Sequence, residues 1–303
     1  MTPFQGRVGV VIVAFNSSAT IGACVASCLV DPAVSTVVVV DNSKEQECRR
    51  VLAKIADRDP RVRYLAGDNI GFSRGCNTGA GAIASVEYLA FVNPDVELTR
   101  KLSELTPFLA DSGATIISGT LRTPSHPHLL NARPLPSFGR ELVGAIVGPR
   151  RAYAVRWPRD QEPYLRVGQV AGALMLLRAD DFTRLGGFDE RYELYYDDVD
   201  LSRRAEAAGG SVLLLQEWGL HHGGVSSRSV SGLAYCVGAV SRARYLRKWL
   251  GSGRSVAMVL VLAVTEFVSR TATRQREGDR ARLRALLLQL KELISPGSVR
   301  VLS

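Results

Sequence analysis

A chain of 303 residues, 46% apolar, is long enough for one large domain or one medium domain with an appendage, and so for a sizeable core. Its five cysteines (Cys24, Cys28, Cys48, Cys76, Cys236) are an odd set without paired C-x-x-C spacing, which argues against a disulfide framework or a zinc site. The net charge of +9 is unevenly placed: residues 1–238 hold 25 basic and 25 acidic side chains, whereas residues 239–303 hold 13 and 4.

In chain order, the opening MTPFQGRVGVVIVAF lacks a basic flank and runs straight into a strand-like segment, so no signal peptide is expected and the protein is placed on the cytoplasmic side. Short β-branched runs at 8–15, 36–40, 62–66 and 88–92 alternate with helix-like stretches. Ile21, Val25, Cys28 and Leu29 mark one such stretch; Val51, Leu52 and Ile55 mark another. Cys24 and Cys28, one helical turn apart, read as packing residues. Strands apolar almost throughout are expected in a parallel sheet covered on both faces. Residues 119–168 are Pro-, Gly- and Arg-rich and read as too irregular for regular elements. A second ordered block follows: a strand at 169–177, helices at 179–185 and 199–208, the latter ended by Gly209, and a strand at 212–215. Beyond 231 the chain reads as helix only. The nine apolar residues 256–264 are too short to span a membrane, which takes about 20. Leu283, Leu286, Leu287, Leu290, Leu293 and Ile294 form an apolar stripe flanked by Arg282, Arg284 and Lys291, suited to packing or to an interface.

In an open parallel sheet, ligands bind beyond the carboxyl ends of the strands. Here the strands end at Phe15-Asn16, Asp41-Asn42-Ser43, Asp68-Asn69 and Asn93-Pro94-Asp95, so each delivers polar groups to one edge. The glycines at 67, 71, 75, 79 and 81 match neither a P-loop nor a G-x-G-x-x-G fingerprint. Asp95, on a loop stiffened by Pro94, suits a hard divalent cation whose other positions are filled by phosphate oxygens and water. Asp197, Asp198 and Asp200 precede a helix; three carboxylates this close must cap it, meet a cation or have raised pKa values, which favours a catalytic base. His221 and His222, after a strand and a turn at Trp218-Gly219, could join the metal or donate to a phosphate.

Taken together, VVIVAFNS, VVVVDNS, GDNIGFSRGCNTG, FVNPDV, VAGALMLLR, GGFDERYELYYDDVDLSRR and HHGGVS resemble, in order, the motifs of glycosyltransferase family 2, the inverting nucleotide-sugar transferases of the α/β GT-A fold, and among these the bacterial rhamnosyltransferases. The resemblance implies a GT-A catalytic domain over 1–230 and a basic amphipathic helical extension over 231–303. It implies that Asp41 and Asn69 face the nucleotide base, that Phe15 and Asn16 line its pocket, and that Gly71 and Asn77 shape the adjoining loop. Asp95 would hold Mg²⁺ or Mn²⁺ on the diphosphate, with Asn93 replacing the family's first acid. Gly172 and Ala173 would border sugar and acceptor. Asp198 matches the base, with Asp197 where Glu is usual, and His221 aligns better than His222 with the metal or phosphate histidine. The implied reaction moves a sugar, L-rhamnose from dTDP-L-rhamnose, onto a hydroxyl of a polyprenyl-diphosphate saccharide in cell-wall or surface-polysaccharide synthesis. A UDP- or GDP-linked donor is the alternative.

The basic, Leu-rich tail suits a peripheral place at the inner face of the membrane, on anionic lipid. Its apolar stripe suits a homodimer as well. Nucleic-acid binding is disfavoured, because the cations are interleaved with long aliphatic runs. Rival readings are a nucleotidyltransferase, and a non-catalytic sugar-nucleotide or glycan-binding module; Asp198 beside Asp95 speaks against the second, since pure binding needs no base.

Overall fold

The computed structural model describes residues 7–43, 45–69, 71–123, 131–155, 157, 163–222, 231–273 and 279–301. The first six residues and positions 223–226 of the HHGGVS motif lie outside the described residues.

Strands β1 (Val8–Ala14), β2 (Val34–Asp41), β3 (Val62–Ala66) and β4 (Tyr88–Val92) alternate with helices α1 (Ile21–Leu29), α2 (Gln46–Ala56) and α3 (Phe72–Gly81). They form the parallel half of a nine-stranded sheet in the order β3-β2-β1-β4. All seven residues of β1 are buried. Alternation sends Val10 and Ile12 into one core and Val11 and Val13 into the other, on opposite faces of the sheet, which is why the run is apolar at every position.

The chain continues through β5 (Val96–Leu98), α4 (Thr106–Ser112), β6 (Ile116–Arg122), β7 (Ala132–Arg133), α5 (Phe138–Val147), α6 (Pro149–Ala152), β8 (Tyr164–Val167), β9 (Gln169–Val170), β10 (Leu174–Arg178), α7 (Ala179–Arg184), α8 (Asp197–Ala207) and β11 (Val212–His221). β10 adds antiparallel to β4, followed by β6, β11 and β5, with β8 also paired to β11. β7 and β9 make a separate two-stranded ribbon.

Three sequence expectations are corrected here. The described residues within 119–168 include regular elements: α5, capped by the Ser137 hydroxyl, which accepts from Arg140 N–H, together with α6, β7 and β8. The expected strand at 169–177 is broken at Ala171–Ala173 into β9 and β10. β11 does not stop at Leu215. It shifts register between Leu215 and Gly219, with Glu217 at φ 46°, and runs on to pair with β5. Such a bulge re-aims the rest of a strand, and here it carries His221 alongside Val96.

Helices α9 (Ser231–Leu250), α10 (Ser252–Thr273) and α11 (Asp279–Ile294) complete the chain. Tyr245, Leu246 and Met258 pack against Leu135, Tyr192 and Val199, so the helices lean on α8 and on the segment before α5. The apolar stripe of α11 is divided: Leu286, Leu290 and Leu293 pack with Ala243 and Val259, whereas Leu283, Leu287 and Ile294 are exposed. Among the described residues no helix is long and apolar enough to cross a membrane. The five cysteines are buried thiols, with Cys24 and Cys28 in the core under β1.

Candidate active site

The edge formed by the ends of β1 to β4 is built from short polar loops that hold one another. Asp41, fully buried at the end of β2, accepts from the backbone N–H and hydroxyl of Ser43 at 2.9 and 2.6 Å, and Tyr64 Oη lies 3.4 Å from its other oxygen. Asn42, part of the polar strand end expected from the sequence but given no role of its own there, donates to the Gly71 carbonyl at 3.0 Å and so ties the second strand end to the third. Asn16 and Asn69 adopt φ values of 50° and 53°. That left-handed conformation is tolerated best by Asn among residues with a Cβ. Gly71 is at φ 86°, and a Cβ there would lie 3.0 Å from the Glu193 carbonyl.

The 186–193 loop docks on this edge. Phe72 N–H donates to the Glu193 carbonyl at 2.8 Å and the Ser73 hydroxyl to the Tyr192 carbonyl at 2.6 Å. Asn77 exchanges two 2.9 Å hydrogen bonds with the backbone of Phe188, so its amide fixes this loop to α3. Phe15 is half-buried and Asn16 exposed at the end of β1.

At the end of β4 the bulge in β11 brings His221 Nε2 within 3.2 Å of Asp95 Oδ1. His222 turns the other way, to Glu97 at 3.2 Å, as alternation along a strand requires. Among the described residues no group of three or more His, Cys, Asp or Glu side chains could hold an ion unaided. One carboxylate and one imidazole nevertheless fit Mg²⁺ or Mn²⁺ that draws its remaining donors from a diphosphate and water.

The break between β9 and β10 joins this loop to the acidic cluster. Asn93 N–H donates to the Ala173 carbonyl at 3.0 Å, and the neighbouring Gly172 N–H donates to Asp198 Oδ2 at 2.9 Å. The other Asp198 oxygen accepts from Val199 N–H at 2.8 Å. The three aspartates lie inside the first turn of α8, two residues earlier than the sequence suggests, and each has a different environment. Burial pushes the Asp198 carboxyl above its ordinary value, opposed by the hydrogen bonds from Gly172 and Val199 and by the charge of Arg133. Burial, then the neighbouring Asp198, push the nearly inaccessible Asp197 well up. Asp200 is fully buried and meets Lys248 Nζ at 2.7 Å, Arg204 Nε at 2.8 Å and Trp249 Nε1 at 2.9 Å, which tie α8 to α9. The turn entering α8 carries Tyr195 and Tyr196 at φ 65° and 64°, conformations that cost about 1–3 kcal/mol each where tertiary packing imposes them.

A family model described as Glycosyl transferase family 2 matches residues 9–154. The N-acetylglucosaminyl-diphospho-decaprenol L-rhamnosyltransferase of Mycobacterium tuberculosis (strain ATCC 25618 / H37Rv) is 30% identical over 186 residues, which cover 54% of this chain and 60% of that protein. The chain therefore matches less than two thirds of that relative's length. Rhamnosyltransferase WbbL of Escherichia coli (strain K12) is 24% identical over 235 residues, 72% of this chain and 85% of that one. A solved mannosyltransferase from Pyrobaculum calidifontis, in complex with GDP-Man and Mn²⁺, aligns with a TM-score of 0.57 over 98% of this chain and 89% of its own, at 12% identity. That likeness is one of fold, the GT-A arrangement.

Proposed function

We propose that this chain is a member of glycosyl transferase family 2, whose model matches residues 9–154, and that it is an inverting, metal-dependent glycosyltransferase. It transfers L-rhamnose from dTDP-L-rhamnose to a hydroxyl of a polyprenyl-diphosphate saccharide in cell-wall or surface-polysaccharide synthesis. The observation that carries this reading is the two-residue bridge at Gly172–Ala173, which hydrogen-bonds the Asn93–Asp95 loop through one carbonyl and Asp198 through one N–H.

In this reading Asp41 and Asn69 receive the base, with Phe15 and Asn16 at the pocket wall and Gly71 keeping the loop close. Asp95 and His221 hold Mg²⁺ or Mn²⁺. A cation held there would supply positive charge to balance that of the departing diphosphate. Asp198, its two oxygens oriented by backbone donors, accepts the proton of the acceptor hydroxyl as that oxygen bonds to the anomeric carbon and the bond to diphosphate breaks. Attack opposite the leaving group inverts the anomeric configuration. Asp197, buried behind Asp198, has its carboxyl pushed well above the ordinary range, first by burial and then by the neighbouring Asp198. The catalytic domain spans 1–230 and the helical extension 231–303, the latter seating the enzyme peripherally on the inner face of an anionic membrane.

Nucleoside-diphosphate release from a panel of sugar nucleotides, with a polyprenyl-diphosphate sugar mimic as acceptor and with or without Mn²⁺ or Mg²⁺, tests the reading. Metal-dependent release of dTDP from dTDP-rhamnose, lost in Asp198→Asn and in Asp95→Ala, is expected. Turnover indifferent to Asp198→Asn would remove the base assignment.

A further inference from the structure

Two cavities beside the strand-edge site share three side chains. The first, of about 500 Å³, has Asp198 in its wall together with Arg133, Glu141, Tyr153 and Arg242. The second, of about 550 Å³, is a more open groove along α9, walled by Ala234, Tyr235, Gly238 and Ala239. Arg242, Tyr195 and Tyr196 border both. Small residues keep the groove open; a Cβ at Gly238 would already lie 3.3 Å from the Tyr195 ring.

The shared arginine is incompletely satisfied. Its guanidinium pairs with Glu141, which is buried and also accepts from the Tyr153 hydroxyl at 2.6 Å. Arg242 Nε, however, is buried with no hydrogen-bond partner among the described residues. Burial lowers the pKa of Arg242 to about 10, which leaves it charged at neutral pH. A desolvated donor left unmet is costly, and an anion would complete it. Arg133, exposed on β7, makes no ion pair among the described residues, and its charge is felt by Asp198, Tyr153 and Tyr196.

Resting on the transferase reading above, we infer that the two cavities form one track for an amphiphilic acceptor: saccharide beside Asp198, phosphate at Arg242 and Arg133, aliphatic chain in the α9 groove. The order of chemistry along the track, carboxylate, then cations, then a groove of small residues bordered by Tyr235 and Gln289, is what selects the ligand. A free sugar would use only the first cavity and a fatty chain only the second. A ligand with a phosphate between the two uses both and meets the cations.

The full chain, with folding of each variant checked by circular dichroism, is titrated with farnesyl phosphate, farnesol and inorganic phosphate, following tryptophan fluorescence. Farnesyl phosphate is expected to bind roughly tenfold more tightly than farnesol, the scale of one charge-assisted hydrogen bond. Arg133→Ala should shrink that advantage. So should Arg242→Gln combined with Glu141→Gln, a pair chosen so that neither buried charge is stranded. Ala234→Phe should weaken farnesyl phosphate by a similar factor and leave inorganic phosphate unchanged. Equal affinity for farnesyl phosphate and farnesol, or an undiminished difference in both charge variants, overturns the inference. Displacement of the probe by phosphatidylglycerol vesicles at matched phosphate would seat a bilayer lipid in the track and overturn it too. Because binding is read without turnover, dTDP release that persists without phosphate discrimination sinks this inference alone. Phosphate discrimination with turnover indifferent to Asp198→Asn sinks the base assignment alone.

Discussion

Asp198 and Asp197 share a helix start but not a role, and pH separates them. Both carboxyls are pushed above the ordinary range, chiefly by burial. A base must be deprotonated, so kcat/KM should fall as pH drops through a limb lying above pH ~4, and the limb belongs to the pair rather than to either residue. For stability the sign is the opposite of a salt-bridged aspartate's: a raised carboxyl contributes stability below its unfolded value and loses it as pH rises towards the folded one. Asp197→Asn should therefore gain on wild type in urea unfolding as pH goes from 4 to 8; a constant difference would show that folding does not raise the Asp197 carboxyl. Gly71→Ala tests the loop above. Its φ of 86° and the Glu193 carbonyl 3.0 Å from a new Cβ predict a loss of about 1–3 kcal/mol in thermal unfolding, together with a higher KM for the donor. Asp41, Asn69, Asp95 and Asp198 could be nominated from the sequence because each stands where a strand ends or a helix begins. Arg133 and Arg242 could not: only the packing of α9 and α10 near α5 brings them to one cavity, and no local pattern records it.

Elements repeat the lesson with helix α5. Its apolar positions Phe138, Leu142 and Ile146 follow helical spacing behind a Ser N-cap, a signal present in the sequence but drowned by the prolines and arginines around it. The β11 bulge is less readable, since Glu217 at φ 46° follows no Gly or Asn rule and is set by the competing claims of β8 and β5 on one strand. The α8–α9 junction lies between these cases. Asp200 sits in the acidic motif, yet its partners Lys248 and Trp249 are distant in sequence and its duty is structural. Asp200→Ala removes the carboxylate shared by Lys248, Arg204 and Trp249, and although Lys248 keeps Asp189 at 2.9 Å, the change should cost about 3 kcal/mol in urea denaturation. Lys248→Met should cost less, because that side chain is 24% exposed and can be solvated. A loss under 1 kcal/mol for Asp200→Ala would mean that α9 is held to α8 by the Tyr245, Leu246 and Met258 packing alone.

Across the whole molecule, charge and apolar exposure fall on the same side of the chain's organisation. Residues 239–303 carry 13 basic and 4 acidic side chains, and the same helices expose Leu260, Val264, Leu283 and Leu287, while α5 exposes Ile146 and Val147. The expected stripe on α11 is thus partly spent on packing, and α5 with α10 adds a second apolar surface that the sequence did not suggest. Gly144 and Ala145 of α5 and Leu262 of α10 also line the cavity that holds Asp198, so the two helices that expose this apolar surface also border the site. Attraction to anionic lipid is worth about 1 kcal/mol per Lys or Arg near the surface and is screened by salt, whereas aliphatic burial is not. Flotation with phosphatidylglycerol liposomes should therefore recover the protein at low salt, lose most of it as salt rises, and lose it at all salts when Ile146→Glu and Leu260→Glu are combined. Both positions are more than half exposed, 72% and 54%, so the variant should fold as wild type. A double variant that floats undiminished would assign the contact to charge alone, and a full-length chain that never floats would remove the membrane from the proposal.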